Sequence, residues 1–267
     1  MLKGHSRREQ PGLLGLLRRI LRIETLTLVV TVFELVGIPL AIWALLATLE
    51  QTQLSKEALR DQQVGNAWQI LSIEGGGMTG KAYALSSLAS LGQYIVDVHF
   101  DCVERHETYD FCVSKAQLQD ADFRGSRAIQ TSTFEDAILH GSKFNAVPIV
   151  FVSFKNAAMR FSDFRDSRLQ RVDFTNAMLF EATFRRASME DVNFSNTLIY
   201  DVDFREITFP RKTGHQINIS GAMICSPLTG CNPTIQQEFL SQAYFDESNP
   251  PKGLHMLDPE LLVHLRL

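Results

Sequence analysis

Histidine and cysteine are sparse in this chain of 267 residues, and neither is arranged for chemistry. The 7 histidines (His5, His99, His106, His140, His215, His255 and His264) are scattered, and none stands at zinc-type spacing from the 4 cysteines. No nucleophile paired with a base is legible, so no catalytic residue, no metal ligand and no cofactor is expected. Charge of one sign is lacking too. The whole chain carries a net −4, and the segment from Ala116 to Phe209 holds 11 basic and 13 acidic residues. Nothing there sustains a field that would draw or imitate nucleic acid. Cys102 with Cys112, and Cys225 with Cys231, are close enough in sequence for disulfides in an oxidising compartment, and equally compatible with four free thiols in the cytosol.

One motif is incomplete. Gly75-Gly76-Gly77-Met78-Thr79-Gly80-Lys81 imitates a phosphate-binding loop, but the next residue must be Ser or Thr to hold magnesium, and it is Ala82. The stretch around it is also too short for the parallel sheet such a loop needs. A glycine turn opening a helix over Lys81–Leu91 accounts for it better.

What the chain does have is a period. Every fifth residue from Phe134 to Phe209 is bulky and apolar: Phe134, Leu139, Phe144, Ile149, Phe154, Met159, Phe164, Leu169, Phe174 and onward. Two residues before each centre sits a smaller side chain, such as Ala137, Ser142, Val147 or Val172. Five suits neither a helix nor a flat strand, so a short fixed repeat of this kind means a coiled architecture.

Segments such as Ala121-Asp122-Phe123, Val172-Asp173-Phe174, Val192-Asn193-Phe194 and Val202-Asp203-Phe204 resemble the pentapeptide-repeat family, with its pattern A(D/N)LXX. The resemblance covers roughly Ala116 to Ile224. It implies a mainly β fold: a right-handed quadrilateral β-helix with one pentapeptide per side and twenty residues per coil. Stacked coils would pair their backbones at about 4.8 Å. Phenylalanines then fall on side one (Phe134, Phe154, Phe174, Phe194) and side three (Phe144, Phe164, Phe184, Phe204), with mostly aliphatic centres on sides two and four. All of these are core residues. Leu118 and Phe123 are out of phase by one, which predicts an insertion and bulge near Gly125–Ile129. Ile219 and Ile224 return to phase, with Pro210–Gly214 read as a loop replacing one side.

Function must be sought on the outward positions. Ile138, Ala158, Met178 and Leu198 precede the centres of side two, and His140, Arg160, Phe180 and Tyr200 follow them, with Phe161 one step on. Such an apolar, aromatic strip predicts a contact surface, for a partner, a second copy or the chain's own terminal helices. On side three, Arg165, Arg185 and Arg205 form a basic ladder beside Asp163, Asp166, Asp203 and Glu206. A solvated salt-bridge lattice is the plainer reading of it; an anion site is the weaker one.

The front of the chain reads as an anchor. Thr25–Ala47 is apolar with a single charge, Glu34, and is long enough to cross a bilayer. Lys3, Arg7, Arg8, Arg18, Arg19 and Arg22 precede it, while only Lys56 and Arg60 follow closely, so the N-terminus is expected in the cytoplasm and the repeat outside it, in a bacterial inner membrane. Leu13, Leu14, Leu17, Ile20 and Leu21 share a helical face suited to the membrane interface. Glu34 inside the span marks either an assembly or ion-path residue or a tolerated carboxyl near the Gly37–Pro39 break.

The domain organisation expected is a basic segment over 1–24, a transmembrane helix over 25–47, a helical stalk and lead-in over 48–115, the repeat over 116–225, and a capping helix and tail over 226–267. Thr234 and Gln237 predict a capping box for a helix over Ile235–Tyr244. Its tail resembles those that close bacterial members of the family. The function expected is a non-catalytic, membrane-anchored scaffold for protein interaction or self-association, with no small-molecule substrate. Two alternatives are a toxic or regulatory membrane effector, for example in phage defence, and protection of DNA gyrase by DNA mimicry, which the resemblance brings in and the balanced charge opposes.

Overall fold

A computed structural model describes residues 13–73, 79–100, 102, 112, 115–210, 216–226, 228, 230–231 and 237–256. Gly75–Met78 of the incomplete phosphate loop, most of the Pro210–Gly214 loop, the capping Thr234 and the basic residues Lys3, Arg7 and Arg8 lie outside the described residues; Thr79, Gly80 and Lys81 open a helix, as a glycine turn before it would have them do. Contacts divide the chain into two units, residues 1–60 and 61–267.

In the first unit α1 (Leu13–Val32) runs into a π-helical turn (Phe33–Gly37) and then α2 (Ile38–Ser72), whose end from Asp61 onward belongs to the second unit. This is one helix long and apolar enough to cross a membrane: its best window has a mean hydropathy of 2.2 and none of it is buried. The π turn has a cause in the sequence. Pro39 lacks an N–H, and its ring would strike the Leu35 carbonyl one turn back. The helix widens instead, and the Ile38 N–H donates five residues back to the Phe33 carbonyl. Gly37 permits this, because a Cβ there would lie 2.9 Å from the Phe33 ring. Glu34 sits within that turn, exposed.

The second unit is built from rungs. The end of α2 packs Ala67 against Ala84 and Leu88 of α3 (Thr79–Ser90), and Leu85 of α3 enters the main core. The strands β1 (Tyr94–Val96), β2 (Ala128–Gln130), β3 (Pro148–Val150), β4 (Arg168–Gln170) and β5 (Ser188–Glu190) form one parallel sheet in that order. Its register places Ile129, Ile149, Leu169 and Met189 in line, twenty residues apart, and these are side four. Three further ladders keep the same spacing: Ser153, Asp173 and Asn193 on side one; Ile138, Ala158, Met178 and Leu198 on side two; Lys143, Asp163, Thr183 and Asp203 on side three.

Between sides the backbone turns through a left-handed residue every five positions, among them Asp136, Ala146, Asn156, Phe161, Asp166, Asn176 and Glu181. The turn leaving side one closes with the Ala137 N–H donating to the Phe134 carbonyl at 3.2 Å, and its counterparts after Leu139 and Phe144 do the same. Each centre is fully buried from Phe134 to Phe204. Rings stack along each phenylalanine ladder (Phe144 on Phe164, 4.7 Å) and meet edge-on between the two ladders (Phe164 to Phe174, 5.7 Å). Buried hydroxyls among the small inward residues donate to backbone carbonyls, as Ser162 does to Leu139 at 3.0 Å and Thr197 to Phe174 at 2.7 Å.

Three expectations need correction. The coil begins before residue 116: β1 pairs with β2, His99 bridges Thr133, and the Phe100 ring lies 5.3 Å from Phe134. The five-residue rhythm is broken between them, so periodicity could not reach back that far. The phase slip itself is as expected, with Gln117 and Asp122 bridging Ile138 and Lys143 at an offset of twenty-one.

The Pro210–Gly214 segment does not replace a side. Val192 and Asn193 of β6 (Val192–Asn193) pair with β7 (Ile217–Asn218), and Leu198 bridges Met223, both at an offset of twenty-five. Five residues are therefore inserted at the corner between sides four and one, and Ile219 resumes side one.

The C-terminal helix is also shorter than expected. After the antiparallel hairpin β8 (Cys225–Ser226) and β9 (Gly230–Cys231), α4 (Gln237–Gln242) ends two residues before Tyr244. Ala243–Tyr244 leaves it as β10 and adds a parallel rung to β7, and Lys252 bridges Met223. The backbone edge of the last coil wins over helix propensity because it offers unpaired donors and acceptors. The tail thus extends the coil beyond residue 225, while the Phe239 ring lies tilted over Phe204 at 4.4 Å and closes the phenylalanine ladder.

Candidate interaction site

Side two presents one continuous outward ladder: Gln117, Ile138, Ala158, Met178, Leu198, Met223 and Lys252. The inward centres between these residues hold them at ladder spacing, so their side chains stand on a flat, rigid wall. Met178 is exposed, Ile138 and Leu198 are half-buried, and Ala158 is recessed at 5% exposure. Met223 continues the strip one rung further. Sequence reading missed it because the five inserted residues moved it out of register.

The residues after the centres form a second column. Phe180 and Tyr200 stack with centroids 5.5 Å apart. The Arg160 guanidinium lies over both Phe161, at 4.5 Å, and Phe180, at 4.4 Å, while its Nε donates to Glu181 at 2.7 Å. At the base of this column the Arg160 backbone N–H donates to His140 Nδ1 at 3.2 Å. Burial, and then the nearby Arg160 charge, push the His140 imidazole below its ordinary range. The neutral acceptor form is therefore the one that fits the wall.

Phe161 is exposed at 53% and occupies a left-handed corner, φ 62°. A bulky side chain is an outlier there, where Asn, Asp or Gly is expected. Phe151 repeats the anomaly at another corner, φ 56°, with the Arg171 guanidinium over its ring. All six residues expected on this surface (Ile138, Phe161, Met178, Phe180, Leu198, Tyr200) therefore lie on one wall or its edge.

The basic ladder is neutralised. Arg165 pairs with Asp163 at 2.7 Å, Arg185 with Glu206 at 2.5 Å, Arg205 with Asp203 at 2.6 Å, and the adjacent Arg186 with Asp166 at 2.7 Å. Hydrogen bonds from Arg186 and Arg205 hold the Asp166 and Asp203 carboxyls below the usual carboxylate range. This is the lattice rather than an anion site: each guanidinium already has its carboxylate. Both cysteine pairs are closed as disulfides, Cys102–Cys112 and Cys225–Cys231. An Asp136 carboxylate oxygen lies near the first pair, within 4.8 Å, but sulfurs joined to each other are not thiolate ligands.

Residues 116–204 match the family model described as a pentapeptide repeat region. This stretch is a pentapeptide-repeat region. No curated protein matches the chain by sequence. Among solved structures the chain is similar to QnrB1, a plasmid-mediated fluoroquinolone resistance protein, at 12% identity over 58% of this chain and 82% of that one, with a TM-score of 0.33. It is also similar to Rfr23 from the cyanobacterium Cyanothece 51142 (15% identity, 46% of this chain, 84% of that one, TM-score 0.25). A pentapeptide repeat protein of the Arabidopsis thaliana thylakoid lumen aligns at 17% identity over 64% of this chain and 89% of that one, TM-score 0.22. The backbone ladders and the match over residues 116–204 carry the fold of the repeat.

Proposed function

We propose that this protein is a non-catalytic scaffold: a single apolar helix anchors it in a membrane, and a closed, right-handed, four-sided coil displays side two as a surface for protein interaction or self-association. The observation that carries the reading is the Arg160 clamp between Phe161 and Phe180, continued by Tyr200, Met178 and Leu198 on a rigid wall. Aromatic residues, Met and Arg are the types enriched at interfaces, and clustered in this way they supply hot spots. The domain organisation follows the same scheme: anchor over 25–47, lead-in, coil, and capping tail.

Two observations support placing the coil on the extracytoplasmic side of a bacterial inner membrane. Basic residues concentrate before the apolar run, and all 4 cysteines are paired, as suits an oxidising compartment. Fusions of the C-terminus to one reporter active only in the periplasm and one active only in the cytoplasm test the side directly.

The reading as a whole is tested by photo-crosslinking. The full-length chain carrying benzoylphenylalanine in place of Phe180, expressed in membranes, is expected to capture protein on irradiation, whereas the same probe at Arg165 on side three captures none. Equal capture at both positions, or none at Phe180, refutes it. Gyrase protection by charge mimicry is opposed by the neutralised lattice on side three. The membrane-effector alternative requires that expression alter membrane potential and that Glu34→Ala abolish the effect.

A further inference from the structure

The scaffold reading leaves side two open to a second copy of this chain or to an unlike protein. We propose that its occupant is a second copy, the two coils lying parallel with side two against side two; the proposal rests on the interaction-surface reading above.

The argument is one of complementarity under a two-fold axis that runs along the coil between the two walls. Such an axis exchanges left and right across the wall but keeps every rung opposite itself. The column before the centres then meets the column after the centres of the second copy. Ile138 faces His140, Ala158 faces Arg160, Met178 faces Phe180, and Leu198 faces Tyr200. The pairings match in size and in chemistry. Ala158 is the smallest ladder residue and nearly buried, and it stands opposite the longest side chain of the facing column. Met178, the exposed apolar residue of the ladder, brings a thioether to an aromatic face, a favourable contact.

The edges match as well. The corner entering side two carries Asn156, Asn176 and Asn196, and the Asn176 amide donates to Asn156 at 3.1 Å. The corner leaving it carries Phe161, Glu181 and Asp201. The same rotation sets neutral amides against carboxylates, Asn176 to Glu181 and Asn196 to Asp201, and brings no like charges together. An antiparallel pairing centred between Ala158 and Met178 is less complementary, because it opposes Met223, the apolar end of the strip, to the polar Gln117.

The test uses the full-length chain in membranes with benzoylphenylalanine in place of Leu198, and the adduct is mapped by tryptic digestion. The expected product is a homodimer crosslinked within the peptide Ala187–Arg205, which contains Tyr200. A homodimer joined instead to Ala128–Lys143, which contains Ile138, overturns the parallel arrangement. Capture of a different protein overturns the second copy while leaving side two an interaction surface. No adduct from probes at Met178, Phe180 and Leu198 overturns both readings. Met178→Asp provides a solution check on detergent-solubilised protein and is expected to weaken dimerisation about 30-fold. It is expected to fold, since Asp163, Asp173 and Asp203 occupy equivalent ladder positions on other sides. An unchanged dimer in the folded variant refutes the interface.

Discussion

Replacing Phe164 by alanine tests the coil in the middle of a phenylalanine stack. The ring is fully buried, stacked at 4.7 Å on Phe144 below and at 4.7 Å on Phe184 above, and edge-on to Phe154 at 6.2 Å and to Phe174 at 5.7 Å. Truncating a buried phenylalanine costs about 3–5 kcal/mol, the spread reflecting how far the site can collapse. Collapse is blocked here. The Phe164 N–H donates to the Thr183 carbonyl at 2.8 Å and the Asp163 N–H to the Ser142 carbonyl at 2.9 Å, so the rung is tied above and below. Four ring contacts are lost together, each worth about 0.5–1.5 kcal/mol beyond area burial.

The expected loss is therefore about 5 kcal/mol, a large share of the roughly 5–15 kcal/mol that holds a typical domain folded. Phe164→Leu, which keeps most of the volume, should cost less than about 2 kcal/mol. Guanidinium unfolding of the full chain in detergent, followed by the β-sheet circular dichroism signal, measures both. Because Phe164 and Phe184 share one stack, adding Phe184→Ala should cost about 1 kcal/mol less than the sum of the single losses. A loss below about 1.5 kcal/mol for Phe164→Ala would refute the stacked-rung core, since no tightly tied aromatic site is so forgiving.

Three further outcomes are expected. Gly221 sits at φ 65° where a Cβ would fall 2.2 Å from Asn196 Oδ1 and 2.6 Å from the Asn249 amide, so Gly221→Ala should destabilise by about 1–3 kcal/mol, and an unchanged unfolding midpoint would contradict that packing. His140 titrates lower in the fold than in the unfolded chain. Its stabilising share is therefore present above its unfolded pKa of about 6.5 and is lost as pH falls through the folded value. His140→Gln should flatten the unfolding midpoint between pH 7 and pH 5, and an identical pH profile in both proteins would refute this. Phe161→Asn exchanges a bulky left-handed residue for one that tolerates the conformation, so the coil should lose no stability and gain up to about 1 kcal/mol, even as crosslinking through side two falls. A coil destabilised by more than about 1 kcal/mol would mean that Phe161 serves the fold instead of the surface.

The sequence by itself determined the interior of the coil. A period of five with alternating small and large residues allows one winding, because every centre from Phe134 to Phe204 must leave water and only stacked rungs bury them all. It also determined the apolar helix, the one-residue slip before Ile129 and the charge balance, since these are local properties of composition and spacing. The tertiary structure decided the rest. That Tyr94–Val96 and Ala243–Tyr244 join the ladders was not legible, because neither carries the repeat and both are recruited by backbone groups exposed on the neighbouring rung.

Whether the five residues before His215 replaced a side or were added at a corner depended on register, which only the pairing of Val192 with Ile217 settles. The surface divides in the same way. The ladder Ile138, Ala158, Met178 and Leu198 can be read from a twenty-residue spacing, whereas the continuation to Met223 and the clamp of Arg160 between two rings cannot. Residues that meet across a corner or an insertion share no period, and their contact exists only once the backbone has closed its turns.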